Sequence, residues 1–278
     1  MIYRLCFLVC LALGLPRPVL AADDVLALGA ELYEEHCTVC HGEAGDGNGP
    51  AADRLRNKPR DFRRGIFKFR STPSGSLPLD ADLFRTLTRG IPGTAMLPQT
   101  QLTKRERWAV IQYLKEFSPR FRREKPLPPV SILVPTDFSS RVEPGWQLYH
   151  KVGCTICHGE QGWGDGPAAQ GFKDEWGNPI RPANLTRGPL KSGTQPKDLY
   201  RTLSTGLDGT PMPSYQHTLS DEERWALVAY IVSGHRADED RPHGMMGAKG
   251  MGSGEEHLGR MIIMMQGMGR HEHGCMRR

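Results

Sequence analysis

Two stretches of the same pattern, Cys37-Thr38-Val39-Cys40-His41 and Cys154-Thr155-Ile156-Cys157-His158, constrain this 278-residue chain more than any other feature. Each is followed about 55 residues later by a methionine, Met96 and Met212. Between residue 23 and Arg241 there are no other cysteines and no other methionines. On a helical turn, positions i and i+3 share a face, so the two thiols of each pair point the same way and the histidine follows them.

Cysteine pairs spaced in this way and followed by histidine attach c-type haem, the two thiols bonding the two vinyl groups of one porphyrin. A neutral imidazole is a good axial ligand for haem iron, and a thioether on the opposite face completes six-coordination and raises the reduction potential. Other uses of paired cysteines fit less well. A zinc ribbon needs its second pair roughly 15–20 residues after the first, and here more than a hundred residues intervene. A thioredoxin-type motif needs a βαβ setting, and no such alternation is visible.

The chain is an internal repeat. Shifted by 117 residues, the run from His41 to Ala52 superposes on that from His158 to Ala169, glycine for glycine. Leu83–Leu87 then matches Leu199–Leu203, Gly90–Met96 matches Gly206–Met212, and Glu106–Leu114 matches Glu223–Ile231. Thr103 with Glu106, and Ser220 with Glu223, have the capping-box spacing that starts a helix. Ahead of each haem motif, Gly29, Leu32 and Tyr33 correspond to Gly145, Leu148 and Tyr149, in segments that read as short helices with one buried face.

Composition places the halves in a chain. The amino terminus carries Arg4, an apolar run from Leu5 to Leu15 and Ala21-Ala22, the pattern of a secretory leader over residues 1–22. Pro16-Arg17-Pro18 breaks the run before it reaches the ~20 apolar residues of a membrane span, so no transmembrane segment is expected in the mature chain. Loss of Arg4 and Arg17 with the leader lowers the formal charge from +5 to +3, too little to suggest nucleic acid. Residues 23–117 and 143–235 are expected as two domains, joined by a linker over 118–142 whose prolines between Ser118 and Val130 favour extended geometry.

One segment is strongly basic: Arg54, Arg56, Lys58, Arg60, Arg63, Arg64, Lys68 and Arg70 accompany a single acid, Asp61. It reads as a solvated loop, as a source of charge for haem propionates, or as a docking patch for an acidic redox partner. The tail, residues 236–278, holds eight of the eleven methionines with four histidines, Cys275 and abundant glycine. Its composition predicts disorder; copper binding through soft thioether and imidazole donors and partner docking are the alternatives.

Taken together, residues 23 to about 235 resemble a tandem of two class I cytochrome c domains. The resemblance implies an all-α fold, with first and last helices crossing in each domain and two covalently attached haem c groups. Cys37, Cys40, Cys154 and Cys157 would carry the thioether bonds, His41 and His158 would be proximal ligands, and Met96 and Met212 distal ones. It also implies that Pro50 and Pro167 offer their carbonyls to the proximal imidazole NH. His36, His150 and His217 read as surface residues, with bis-histidine ligation by His217 as the alternative for the second haem.

With both irons six-coordinate, the expected role is a periplasmic electron carrier and not an enzyme, or the electron-transfer subunit of a larger oxidoreductase. Its partners would be an oxidase, reductase or dehydrogenase. A dihaem peroxidase and a copper-handling redox factor are the alternatives.

Overall fold

The computed structural model describes residues 22–239. Residues 1–21 and 240–278, which hold nearly all of the expected leader and tail together with the copper binding offered there as an alternative, lie outside the described residues. Helix α1 (Ala22–His36), with Asp23 and Asp24 in its first turn, leads into α2 (Thr38–His41). Then come α3 (Asp80–Arg89) and α4 (Lys104–Glu116). After α5 (Arg120–Arg123) the order repeats as α6 (Val142–Lys151), α7 (Cys154–His158), α8 (Pro196–Thr205) and α9 (Asp221–Glu239). Among the described residues there is no strand, only an isolated bridge between Lys173 and Pro179. The all-α class expected from the sequence holds, and no described helix is long and apolar enough to cross a membrane.

Both capping boxes form. The Thr103 and Ser220 hydroxyls accept from the backbone N–H of Glu106 and Glu223, and those carboxylates accept from the Thr103 and Ser220 N–H in return. In each half the first and last helices cross, α1 on α4 and α6 on α9. The crossing runs through a glycine: a Cβ on Gly29 would overlap the Ala109 carbonyl, and one on Gly145 the Ala226 carbonyl. Only hydrogen in place of a side chain lets the two backbones approach this closely.

Two separate cores result. Leu32, Tyr33, Phe62, Phe67, Leu83, Leu87, Ile111 and Leu114 pack in the first half. Leu148, Tyr149, Leu190, Leu199, Leu203, Leu227 and Val228 pack in the second.

The proline-rich connection is less uniform than its composition suggested. Pro119 sets a helical φ of −62° ahead of α5, whose Phe121 packs on the first core, because proline is compatible with the first turn of a helix. Residues 124–135 then run without regular structure, and Val130 donates to Ser71 and Leu127 to the Ser76 hydroxyl. A 3₁₀ turn at Phe138–Arg141 leads into α6.

Candidate functional site

Each CxxCH helix is clasped by the glycine-rich loop that follows it. In the first half Gly47, Gly49 and Ala51 donate backwards to the carbonyls of His41, Cys40 and Val39. In the second, Gly164, Gly166 and Ala168 donate to His158, Cys157 and Ile156. Gly49 and Gly166 lie so near the helix carbonyls that a Cβ would overlap them. The residue after each histidine is held from below, by Tyr33 Oη donating to Gly42 O at 3.0 Å and Tyr149 Oη donating to Gly159 O at 2.8 Å. Both tyrosines are core residues, as their spacing suggested, and their hydroxyls add a brace that the spacing did not announce.

The histidines of the two CxxCH motifs differ from expectation in their partner. His41 Nδ1 lies 3.1 Å from the carbonyl oxygen of Arg60, and His158 Nδ1 lies 3.0 Å from that of Ala183. Pro50 and Pro167, expected to make these bonds, are exposed. The loops explain the difference, because the bonds from Gly49 and Ala51, and from Gly166 and Ala168, bend the chain around the side of the helix and carry each proline outward.

The true acceptors sit in a second repeated motif, Pro59-Arg60-Asp61-Phe62 and Pro182-Ala183-Asn184-Leu185. Phe62 N–H donates to Gly45 O, and Leu185 N–H to Gly162 O. Asp61 Oδ1 accepts from Arg63 N, and Asn184 Oδ1 from Thr186 N. The Phe62 ring stacks on His41, with centroids 4.6 Å apart.

With Nδ1 so engaged, Nε2 is the nitrogen left to face a metal. Burial pushes both imidazoles below 6.5, and the neutral form that results is the one that ligates. Burial pushes the Cys37 and Cys154 thiols up to about 11.

Met96 and Met212 also occupy matching positions. The Ile91 N–H donates to Met96 O at 2.8 Å and the Thr94 hydroxyl accepts from Met96 N–H at 3.1 Å. Leu207, Met212 and Thr210 repeat the pattern. Each methionine is partly buried against the core of its own half. Of the other histidines, His217 is exposed, and His150 pairs with Glu160 at 2.9 Å. His36 lies 3.7 Å from Glu35.

The basic segment divides: Arg54, Arg56, Lys58, Arg63 and Arg64 are exposed, Arg60 and Lys68 are half-buried, and Arg70 is buried. Arg70 is fully buried and donates to Asp208 at 2.7 Å, to Thr205 O at 2.8 Å and to Phe67 O at 3.1 Å. Arg60 lies 4.1 Å from the Trp176 ring centroid, and Arg64 pairs with Glu175 at 3.1 Å. Lys191 donates to Asn57 Oδ1 at 2.6 Å. Arg63 is matched by Asp61 and Lys58 by Asp53. Arg60, Arg64 and Arg70 of the segment thus reach across to the second half.

Lys68, Arg70, Arg85, Arg89, Lys191 and Arg201 line a pocket there. Lys68 is pushed down to about 8, chiefly by burial and then by the charges of Arg60 and Lys191. Arg70, Arg85 and Arg201 are matched there by Asp208, Asp82 and Asp198, so the surplus positive charge of the pocket rests on Lys68, Arg89 and Lys191. Paired cysteines, histidines whose Nδ1 is already engaged and methionine loops braced alike in both halves fit haem c.

A family model described as cytochrome c matches residues 26–118, and one described as cytochrome C oxidase, cbb3-type, subunit III matches residues 140–231. Among solved structures, a chain of the Kuenenia stuttgartiensis reducing HAO-like protein complex Kustc0457/Kustc0458 is similar. It is 42% identical with a TM-score of 0.73, and the match covers 74% of this chain and 95% of that one. Among curated proteins none matches.

Proposed function

The chain belongs to the class I cytochrome c family as a tandem of two domains, and on that premise we propose that it is a periplasmic dihaem electron carrier serving as a subunit of a larger oxidoreductase. Haem held by nitrogen and sulfur supplies one-electron chemistry with no open coordination site. Cys37 and Cys40, and Cys154 and Cys157, anchor the two groups. His41 and His158 present Nε2, and Met96 and Met212 present their sulfurs. The carbonyls of Arg60 and Ala183 orient the imidazoles, and Lys68 and Lys191 supply positive charge to the propionates.

The observation that carries this reading is the twofold repetition of one bracing scheme: in each half, a carbonyl on the histidine Nδ1 and a threonine-braced methionine loop. A scheme built twice serves two like centres. Export is supported by Arg4, the apolar run and Ala21-Ala22. Membership of an oxidoreductase is supported by the likeness to a chain of a HAO-like complex.

Mass spectrometry of the exported protein is expected to find two haems bound through thioethers. Met96→Ala and Met212→Ala are each expected to abolish part of the sulfur-to-iron charge-transfer absorption and to lower one of two reduction potentials. A single haem, or absorption unchanged in both variants, overturns the proposal.

A further inference from the structure

The second half is longer than the first between the glycine-rich loop and the segment that meets the proximal histidine. Ala169 is followed by Pro182 after thirteen residues, Ala52 by Pro59 after seven. The added length forms a tight turn closed by the Lys173–Pro179 bridge. Asp174 Oδ1 accepts there from the N–H groups of Trp176 and Asn178, and Gly177 N–H donates to Asp174 O. Glu175 N–H donates to Gly209 O, which ties the turn to its own half.

What the turn presents to the first half is Glu175 and Trp176. The Arg60 guanidinium sits over the Trp176 ring at 4.1 Å and that of Arg64 at 5.3 Å. Arg64 also pairs with the Glu175 carboxylate and donates to its carbonyl at 3.3 Å.

Arg60 is the residue whose carbonyl accepts from His41 Nδ1. Of its neighbours in the chain, Phe62 is held by Gly45, and Asp61 is held mainly by Arg63 with the Trp176 indole beside it. Arg60 itself is held from across the joint. The arrangement is one-sided, because the corresponding acceptor in the second half is Ala183, whose methyl group offers nothing to grip.

We propose that Trp176 is a positioning residue for the first haem: by holding Arg60 it sets the strength of the carbonyl bond to His41, so that the second domain tunes the reduction potential of the first. The inference rests on the reading of His41 as an iron ligand. A hydrogen bond on Nδ1 makes the imidazole a more basic ligand, which favours the ferric state. Loosening it favours the ferrous one.

Trp176→Leu in the full-length holoprotein keeps apolar volume but removes the π face that holds the cation. Redox titration is expected to show the first haem's reduction equilibrium displaced about tenfold toward ferrous, about 59 mV for one electron, with the second haem unmoved. The first haem's component is assigned as the one that Met96→Ala displaces. Trp176→Phe, which restores a ring, is expected to return the equilibrium to within about twofold of the native value. In the ferrous state the His41 Nδ1–H proton is expected to exchange with solvent faster in Trp176→Leu than in Trp176→Phe.

Unchanged potentials in Trp176→Leu, or equal movement of both haems, overturn the inference while leaving two His/Met haems in place. A native protein lacking a His/Met first haem overturns the parent reading instead.

Discussion

The bond that most directly shapes each centre comes from a backbone carbonyl, and a carbonyl has no residue signature. Arg60 and Ala183 share no side-chain chemistry, yet the carbonyl of each meets the histidine of a CxxCH motif. What the sequence does carry is their frame, proline before them and Asp61 or Asn184 after, each forming a side-chain-to-backbone turn. Pro50 and Pro167, conspicuous beside the glycines, are bystanders. Pro50→Ala and Pro167→Ala are therefore expected to leave both potentials unmoved and to change stability by no more than about 0.5 kcal/mol, as exposed substitutions do, read by redox titration and thermal melting. Removing a tyrosine hydroxyl has a larger effect. In Tyr33→Phe the Gly42 carbonyl loses its donor, and a drop of about 1 kcal/mol in denaturant unfolding is expected.

At the scale of elements, helices were the most readable part of the chain. The capping boxes at Thr103 and Ser220 mark where α4 and α9 begin, since capping is a matter of residues three apart. That α1 must lie across α4 at Gly29, and α6 across α9 at Gly145, is a property of pairs of helices more than fifty residues apart, and no local pattern records it. Gly145→Ala would press a methyl into the Ala226 carbonyl. Overpacking of this kind typically costs about 1–3 kcal/mol, and calorimetry is expected to show unfolding at a lower temperature in Gly145→Ala and likewise in Gly29→Ala. A proline-rich segment likewise reads as extended, but Pro119 sits where a helix tolerates it and α5 follows.

Across the whole molecule, the halves meet through buried charge. Arg70 has no exposed side-chain surface, and its partner Asp208 belongs to the other half. Asp208 also accepts from Ser74 Oγ and Gly75 N–H, both at 2.8 Å, so one carboxylate holds three groups of the first half. Asp208→Ala leaves a buried guanidinium without its countercharge, a change that costs about 3 kcal/mol or more. It is expected to split a single unfolding transition into two and to slow electron exchange between the haems, seen by calorimetry and stopped-flow reduction. One transition with native exchange would show the joint held by other contacts.

The amino-acid sequence by itself determined the two haem-binding motifs, the matching positions of Met96 and Met212, the twofold repeat and the helical class. All of these are written in spacings of a few residues or in the comparison of one half with the other. Tertiary structure alone decided which carbonyl meets each histidine, and which residues of the basic run, Arg60, Arg64 and Arg70, reach across to the other half. Charge and hydrogen-bonding capacity are local properties of a residue, whereas the partner that satisfies them is chosen by the fold.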